Sequence, residues 1–243
     1  MSKRLGASPP AHAVGVPTNV RLFLTLYGHE NAKVAVALEQ AGPLWISKGH
    51  RVPLKLHLAP HNARAYRNLY LVLEPQGVLK ARRHYRLGFK SVRSFAGQTL
   101  TWWKRKLLGL RIKTASAPDE TAPTKPQRLV STGYALRRFG CGPAEAIGLR
   151  FQGSHDVKAA RGGTLTKHLR LRFDVVEQVT GKKPRTLQIW SGPAAMEGTE
   201  LGHGMCAGNF RLSRGARYRI QLRTIDWGGN ISKPSAPVEV VAR

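Results

Sequence analysis

The sequence LKARRHYRLGF occupies residues 79–89, and LSRGARYRIQL occupies residues 212–222. In each stretch a leucine precedes a turn of five residues, and a tyrosine then opens a strand in which apolar and polar residues alternate. Alternation at period two indicates a strand with one buried face. The spacing predicts the corner of a β-sandwich, where the tyrosine ring packs in the core and its hydroxyl reaches back to the preceding turn. A chance similarity of two Leu-x5-Tyr strings is the alternative.

The same alternation recurs along both halves of the chain. Short strands separated by turn residues are typical of antiparallel sandwiches. Residues 31–40 form either a short helix or another buried strand. We therefore expect an all-β fold made of two tandem antiparallel β-sandwich domains. The predicted strands contain residues 20–26, 52–58, 85–89, 147–151, 169–175, 187–189, 218–222 and 238–240.

A segment rich in proline and small residues divides the sequence. Residues 116–126, SAPDETAPTKP, contain three prolines and no apolar periodicity, which indicates a linker. The chain of 243 residues is long enough for two domains that each bury a core. We predict a flexible N-terminus at 1–14, a first sandwich at 15–115, the Pro-rich linker at 116–126 and a second sandwich at 127–243.

The first half resembles the bacterial immunoglobulin-like domains of S-layer and surface proteins. The resemblance rests on GVPTNVRL at residues 15–22 and on NLYLVLEP at residues 68–75, which leads to Leu79 and Tyr85. It implies an exported, non-catalytic domain. Such domains are usually near neutral or acidic, so the resemblance does not account for the basic charge of this chain.

The second half resembles a fibronectin type III-like module. DETAP at residues 119–123 matches the entry of such modules, and YRIQLRTIDWGGNIS at residues 218–232 matches the penultimate strand with its D-x-x-G-N turn. PSAPVEV at residues 234–240 matches the last strand. The resemblance implies that this half is also an exported, non-catalytic domain, in tandem with the first.

Two cysteines, Cys141 and Cys206, are too few for a disulfide-dense scaffold or a four-cysteine metal site. Both fall at predicted strand ends of one sandwich, so we expect a disulfide bond between them. Closing this loop would stabilise the domain by roughly 4 kcal/mol. Free buried thiols, or a metal or redox role, are the alternatives.

The start of the chain leaves its compartment open. Ala11-His12-Ala13 has the shape that signal peptidase recognises, but no hydrophobic segment precedes it. Either the protein is cytosolic, or Met1 lies inside a longer precursor with an export signal upstream. Together with the resemblance, the second alternative predicts an extracellular, periplasmic or outer-surface protein. No run of 18 apolar residues predicts a transmembrane helix.

Common enzyme motifs do not occur in the sequence. It has no Gly-x-Ser-x-Gly, no phosphate-binding Gly-x-x-x-x-Gly-Lys-Ser/Thr and no His-x-x-x-His on a predicted helix. Its 13 carboxylates make a paired-carboxylate hydrolase improbable. His203 and Cys206 lack a second pair of ligands at the spacing of a zinc site. We therefore expect a protein that is not an enzyme and has no cofactor and no metal site.

Basic charge is the dominant feature of the composition. The chain has 40 Lys+Arg against 13 Asp+Glu, a formal net charge of +27. Such an excess destabilises the compact state by self-repulsion unless counterions or a polyanion compensate it. Enrichment of arginine by a GC-rich genome is the alternative explanation. The residues expected on outer strand faces include Arg21, Lys55, His57, Arg86, Lys90, Arg150, Arg170, Arg172, Arg219 and Arg223.

Two clusters are the predicted contacts for a polyanion. The second cluster contains two adjacent tryptophans with three possible roles. They either stack on sugars or bases or lie at a lipid interface. The third role is to cap the core, because neighbours on a strand point to opposite faces and one of the two rings is then buried. The first cluster consists of Lys80, Arg82, Arg83 and Arg86, with His84 among them, and the second of Trp102, Trp103, Lys104, Arg105 and Lys106.

These observations favour a non-enzymatic cell-surface or periplasmic module for binding and adhesion. It would capture a polyanion, such as lipopolysaccharide, acidic polysaccharide or extracellular DNA, through basic sheet faces. A nonspecific nucleic-acid-binding protein, or an accessory subunit that docks on another protein of an exported assembly, are the alternatives. Without a helix-turn-helix or zinc-finger pattern, we do not expect sequence-specific binding of nucleic acid.

Overall fold

The computed structural model describes residues 4–27, 31–58, 68–96, 98–139, 142–152, 169–193, 198–204 and 211–243. In these residues the chain is mostly β, with three sheets and two α-helices. The sequence predicts an all-β fold, of which the structure confirms that the chain is mostly β, and all eight predicted strands occur. The chain divides into two compact units, Met1–Leu58 with Leu69–Glu120 and Trp227–Gly229, and Ala59–Asn68 with Thr121–Asp226 and Asn230–Arg243.

The first unit contains one eight-stranded sheet in the order β1-β3-β6-β5-β4-β7-β8-β2. Strand β2 is parallel to β8, whereas β7 is antiparallel to both β4 and β8. The sheet bends along β5, because the first half of β5 pairs with β4 and the second half with β6. The elements are β1 Arg4–Ser8, β2 Ala13–Val16, β3 Leu22–Tyr27, α1 Asn31–Ala41, β4 Pro43–Ser47, β5 His50–Leu58, β6 Asn68–Pro75, β7 His84–Phe89, a 3-10 turn at Arg93–Phe95, α2 Gln98–Leu108 and β8 Arg111–Thr114.

Two neighbouring strands of this sheet are buried on both faces. All residues from Leu22 to Leu26 in β3 and from Leu69 to Leu73 in β6 are buried. The sequence pattern predicts one buried and one solvated face for β3. In the structure both faces of β3 are buried, so this part of the prediction is wrong. Both helices and most strands of the first unit contribute residues to its core. This core therefore covers the second face of β3 and β6 as well.

The helices bear on two sequence predictions. Helix α1 decides between the two interpretations of residues 31–40 in favour of the helix. Helix α2 contradicts the expected strand at the paired tryptophans. Leu100, Trp103 and Leu107 recur at helical spacing and face the core, and this periodicity outweighs the β propensity of tryptophan.

The N-terminal residues are also part of the sheet, whereas the sequence predicts a flexible segment at 1–14. Strand β1 pairs antiparallel with β3, and β2 begins at Ala13. Leu5 and Ala7 alternate along β1 and pack against the core, which explains why the segment joins the sheet.

The second unit contains two antiparallel sheets, in the orders β13-β10-β9 and β12-β11-β14-β15. Both sheets contribute to one core, with Ile147 and Leu149 from the first and Phe173, Val175 and Ile220 from the second. Cys141 and Cys206 lie outside the described residues, so their disulfide stays a prediction. The strands are β9 Gln127–Phe139, β10 Gly142–Gln152, β11 Arg170–Gln178, β12 Arg185–Pro193, β13 Gly198–Gly204, β14 Arg217–Ile225 and β15 Val238–Val241.

Strand β9 lies at an edge of its sheet and contains a bulge. Its pairing with β10 shifts between Gly148↔Gly133 and Leu149↔Ser131, so Thr132 is the extra residue. The hydroxyl of Thr132 occupies the space that a side chain at position 148 would need, which explains the glycine there. Residues 115–126, which include the predicted linker, form no helix or strand.

Candidate functional site

Both predicted tyrosine corners are present. Tyr85 is 1% exposed, and its hydroxyl accepts a hydrogen bond from Lys80 N at 2.9 Å. Tyr218 is fully buried, and its hydroxyl accepts a hydrogen bond from Ser213 N at 2.6 Å. In each case the ring packs in the core and the hydroxyl fixes the turn five residues earlier, as the repeated Leu-x5-Tyr pattern predicts.

The turn before Tyr85 carries the first predicted basic cluster and is held by further bonds. The hydroxyl of Thr114 accepts a hydrogen bond from Arg83 N at 2.9 Å and donates one to Lys80 O at 2.7 Å. Arg82 N donates to Ala115 O at 3.0 Å. The backbone of the turn is thus fixed on strand β8, while the side chains of Lys80, Arg82 and Arg83 are exposed.

Beside this turn lies an open groove of about 510 Å³. It is lined by Arg86 and His84 of the predicted cluster and by two cationic residues that the sequence pattern does not assign to the site, Lys48 and Arg111. His84 carries charge only when it is protonated. The guanidinium of Arg83 donates to Lys48 O at 3.3 Å, which ties the turn to the end of β4. The remaining lining residues are Ile46, Ser47 and Tyr85.

The register between β7 and β8 brings two arginines together. Leu87 N donates to Leu110 O at 2.9 Å, which makes this a hydrogen-bonded pair. Because such pairs alternate in an antiparallel ladder, the adjacent pair Arg86↔Arg111 is a non-hydrogen-bonded one. The Cβ atoms of a non-hydrogen-bonded pair lie closer together than those of a hydrogen-bonded pair. Both arginines are exposed, and they lie on the same face of the sheet.

A second pair of the same kind follows. His84 lies opposite Lys113, two residues along from the arginine pair and therefore on the same face. We call these four residues, His84, Arg86, Arg111 and Lys113, the cation array. Strands β4, β5, β7 and β8 contain no aspartate or glutamate, so these four strands bring no carboxylate to the array.

Four other basic residues with expected outward positions do have acidic partners. Arg21 and His57 contact Glu74, and Arg172 and Arg223 contact Asp174. Arg170 is only 5% exposed, so its predicted place on a solvated face is wrong. Among the described residues, no carboxylate forms an ion pair with Arg86 or Arg111. The same holds for other exposed cations such as Arg51 and Arg150, so what distinguishes the cation array is the register that brings its cations together.

The second predicted cluster lies on helix α2 and contributes no residue to the groove lining. Trp103 is 1% exposed, so it packs in the core as the core-capping interpretation expects. Trp102 is half-buried, and Lys106 Nζ lies 5.6 Å from its ring centroid, within range of a cation–π contact. Arg105 and Lys106 are exposed and Lys104 is half-buried, and their proposed contact with a polyanion stays a prediction.

The second tyrosine corner differs in its charge environment. Tyr218 donates its hydroxyl proton to Glu177 Oε1 at 2.7 Å, and Arg185 Nη2 lies 2.8 Å from Glu177 Oε2. Burial and this hydrogen bond raise the pKa of Tyr218 to about 12. Burial also raises the pKa of Glu177, but hydrogen bonds from Tyr218 and Ser213 and the charge of Arg185 outweigh it, so the pKa lies below its ordinary value.

Within the described ranges, no three His, Cys, Asp or Glu residues form a group suited to a metal ion. The helices of the described chain are too short and too polar to cross a membrane.

Comparison with known proteins identifies no family. No family model matches the chain, and no curated protein matches it. Among solved structures, domains A168–A170 from titin match with 12% identity and a TM-score of 0.29, over 100% of this chain and 66% of that one. The N-terminal part of the bacterial S-layer protein SbsC matches with 7% identity and a TM-score of 0.27, over 99% of this chain and 44% of that one. Pullulanase type I from Bacillus subtilis str. 168 matches with 8% identity and a TM-score of 0.23, over 98% and 25%.

These likenesses are distant, since every one of the TM-scores is below 0.3. The chain also spans less than two thirds of the length of each of these three structures. They therefore support no conclusion about what this chain binds or does.

Proposed function

We propose that this chain is a non-enzymatic module that binds an anionic polymer through the basic face formed by β4, β7 and β8. In this proposal the first unit is an immunoglobulin-like domain elaborated by two helices, and the second is a fibronectin type III-like sandwich. We also propose that the protein acts outside the cytoplasm, at the cell surface or in the periplasm, where it contributes to adhesion.

The observation that carries the proposal is the Arg86↔Arg111 pair. Like charges directly opposite each other in a ladder destabilise a sheet, by up to about 1 kcal/mol for each pair. Here two such cations face each other at non-hydrogen-bonded positions, and no carboxylate comes from the four strands around them. A bound anion would remove this repulsion, so the same arrangement that costs stability in the free protein favours the bound state.

The groove supports the proposal in a second way. Lys48 and Arg86 line it together with His84 and Arg111, so the cations converge on one concave surface. Arginine side chains grip phosphate or sulfate through two parallel N–H donors, whereas a diffuse positive surface offers only attraction at a distance. We expect the groove to hold one anionic group of the polymer, and Lys80, Arg82 and Arg83 to attract the groups next to it.

The test is a double substitution, R86Q/R111Q, with heparin as the probe. We expect the affinity for heparin at low salt to fall by about tenfold or more, because two charge-assisted contacts are lost. The plot of log affinity against log salt should also become less steep, since fewer counterions are released. Isothermal titration calorimetry at several salt concentrations measures both quantities.

The matched control is K182Q/K183Q. It removes the same charge from an exposed turn of the second unit, between β11 and β12. We expect this control to retain most of the heparin affinity. If both double variants lose affinity equally, net charge and not the groove governs binding, and the assignment of the site is wrong. If neither variant changes it, Arg86 and Arg111 do not contact heparin, and the assignment of the site is likewise wrong.

A further inference from the structure

We infer that the groove beside the cation array recognises sulfate or phosphate monoester groups carried on a saccharide, in preference to the phosphodiester backbone of a nucleic acid. This inference rests on the proposed function and narrows its ligand to one chemical class. It follows from the fixed backbone positions of the paired arginines, the aliphatic side chain in the groove, and the kind of rings that the groove presents.

The first argument concerns the guanidinium groups. Arg86 and Arg111 project from paired strands whose backbone is fixed by the ladder and by the Tyr85 corner. A tetrahedral group with three terminal oxygens can accept two parallel hydrogen bonds from one guanidinium and still face the second. A phosphodiester in a polymer has only two unbridged oxygens, so it can satisfy fewer of these donors at once.

The second argument concerns the aliphatic side chain in the groove. Ile46 lies opposite Arg86 on β4, and its side chain packs over Gly88, where a Cβ atom would collide with it. On its other side Ile46 lies opposite Arg51 of β5, another exposed cation. The aliphatic side chain of Ile46 therefore lies between cations of the two neighbouring strands. This arrangement suits a sugar ring, whose C–H groups pack on Ile46 while its charged substituents reach the cations.

The third argument concerns stacking. Proteins that bind single-stranded nucleic acid without sequence preference stack successive bases on aromatic side chains. In the groove, Tyr85 is 1% exposed and its hydroxyl contacts Lys80 N and His50 Nδ1, so its ring offers no platform. Among the described residues of the lining, the imidazole of His84 is the other ring. One exposed imidazole cannot support a run of stacked bases, whereas a saccharide needs none.

The experiment uses the full chain and a charge-preserving variant, R86K/R111K. Lysine keeps both charges but loses the fork of parallel donors. The probes are a sulfated hexasaccharide prepared from heparin and a single-stranded DNA oligonucleotide with the same number of charges, both measured by fluorescence anisotropy. Inorganic sulfate serves as a competitor, and circular dichroism verifies that the variant is folded.

We expect the wild-type protein to bind the hexasaccharide more tightly than the DNA. The R86K/R111K variant should lose about fivefold to tenfold in affinity for the hexasaccharide and change by less than about twofold for DNA. Equal losses for both probes, or tighter binding of DNA by the wild type, would overturn the inference. In that outcome the proposed function still stands if R86Q/R111Q weakens both probes, whereas retention of heparin affinity by R86Q/R111Q would defeat the proposed function itself.

Discussion

The corners at Tyr85 and Tyr218 use the same backbone device in opposite electrostatic settings. In the second unit the Tyr218 hydroxyl donates to Glu177, a buried carboxylate that Arg185 also contacts. In the first unit the Tyr85 hydroxyl lies 2.7 Å from His50 Nδ1, and Lys48, Arg86 and Arg111 line the groove nearby. The Tyr218 corner thus contains a carboxylate paired with an arginine, whereas the Tyr85 corner lies beside an excess of positive charge.

The difference separates a structural role from a binding role. A buried carboxylate with three partners stabilises its corner and offers nothing to a ligand, because its hydrogen-bonding capacity is used internally. A cluster of cations without carboxylate partners lowers stability slightly by mutual repulsion and leaves its donors for another molecule. Three predictions test this contrast, in order of decreasing expected effect.

Removing the two hydroxyls should have unequal consequences. We expect Tyr218→Phe to lower the free energy of unfolding of its unit by about 2–3 kcal/mol, because it leaves Glu177 buried with one donor fewer. Tyr85→Phe should cost only about 1 kcal/mol, since His50 is half-buried and can bond to water instead. Amide hydrogen exchange with peptides from β14 and β7 measures the two units separately in the full chain. Equal losses would contradict the contrast.

The second unit should lose stability at both extremes of pH. Since the pKa of Glu177 is lowered in the fold, its contribution is present above its ordinary value of 4.5 and is lost as the pH falls through the lower folded value. Since the pKa of Tyr218 is raised to about 12 from 10.0, its contribution is complete below pH 10.0 and is lost as the pH rises toward about 12.

Urea unfolding at a series of pH values measures this dependence. The double variant E177Q/Y218F removes both titrating groups and should flatten the profile of the second unit at both ends. A profile of that unit unchanged by the double substitution would assign the pH dependence to other groups.

The smallest expected effect has the opposite sign. R86Q/R111Q should raise the free energy of unfolding of the first unit by about 0.5 kcal/mol at low salt, because it removes a repelling cross-strand pair. The gain should vanish at about 1 M salt, where such charges are screened. A variant that becomes more stable while it loses heparin affinity is the signature of a site kept for binding. Loss of stability at low salt would mean that the arginines support the sheet.

The sequence contains enough information for the corners but not for their partners. Both corners follow from local features of the sequence. These features are a leucine, a turn of five residues, and a tyrosine that opens an alternating strand. Glu177 lies 41 positions from Tyr218, and His50 lies 35 positions from Tyr85. Such contacts depend on which strands are neighbours, and periodicity along one strand carries no such information.

The same limit applies to the groove. Arg86 is recognisable as a member of a basic cluster, but its pairing with Arg111 depends on the register of β7 and β8. Helix α2 is a different case, because Leu100, Trp103 and Leu107 already have helical spacing in the sequence. Adjacent tryptophans in a chain rich in strands favour the strand interpretation, and the periodicity is the signal that corrects it.

The bulge at Thr132 has a consequence for the solubility of the protein. Strand β9 is an edge strand of 13 residues with Val130 and Leu136 half exposed, and a regular edge of this length is a template for adding further strands. The extra residue, followed by Gly133 at φ 96°, interrupts the row of free amides near its middle. A regular run in β9 therefore extends at most over the seven residues after Thr132, because the five residues before it contain a second register shift. The bulge thus shortens the regular edge that another strand could extend.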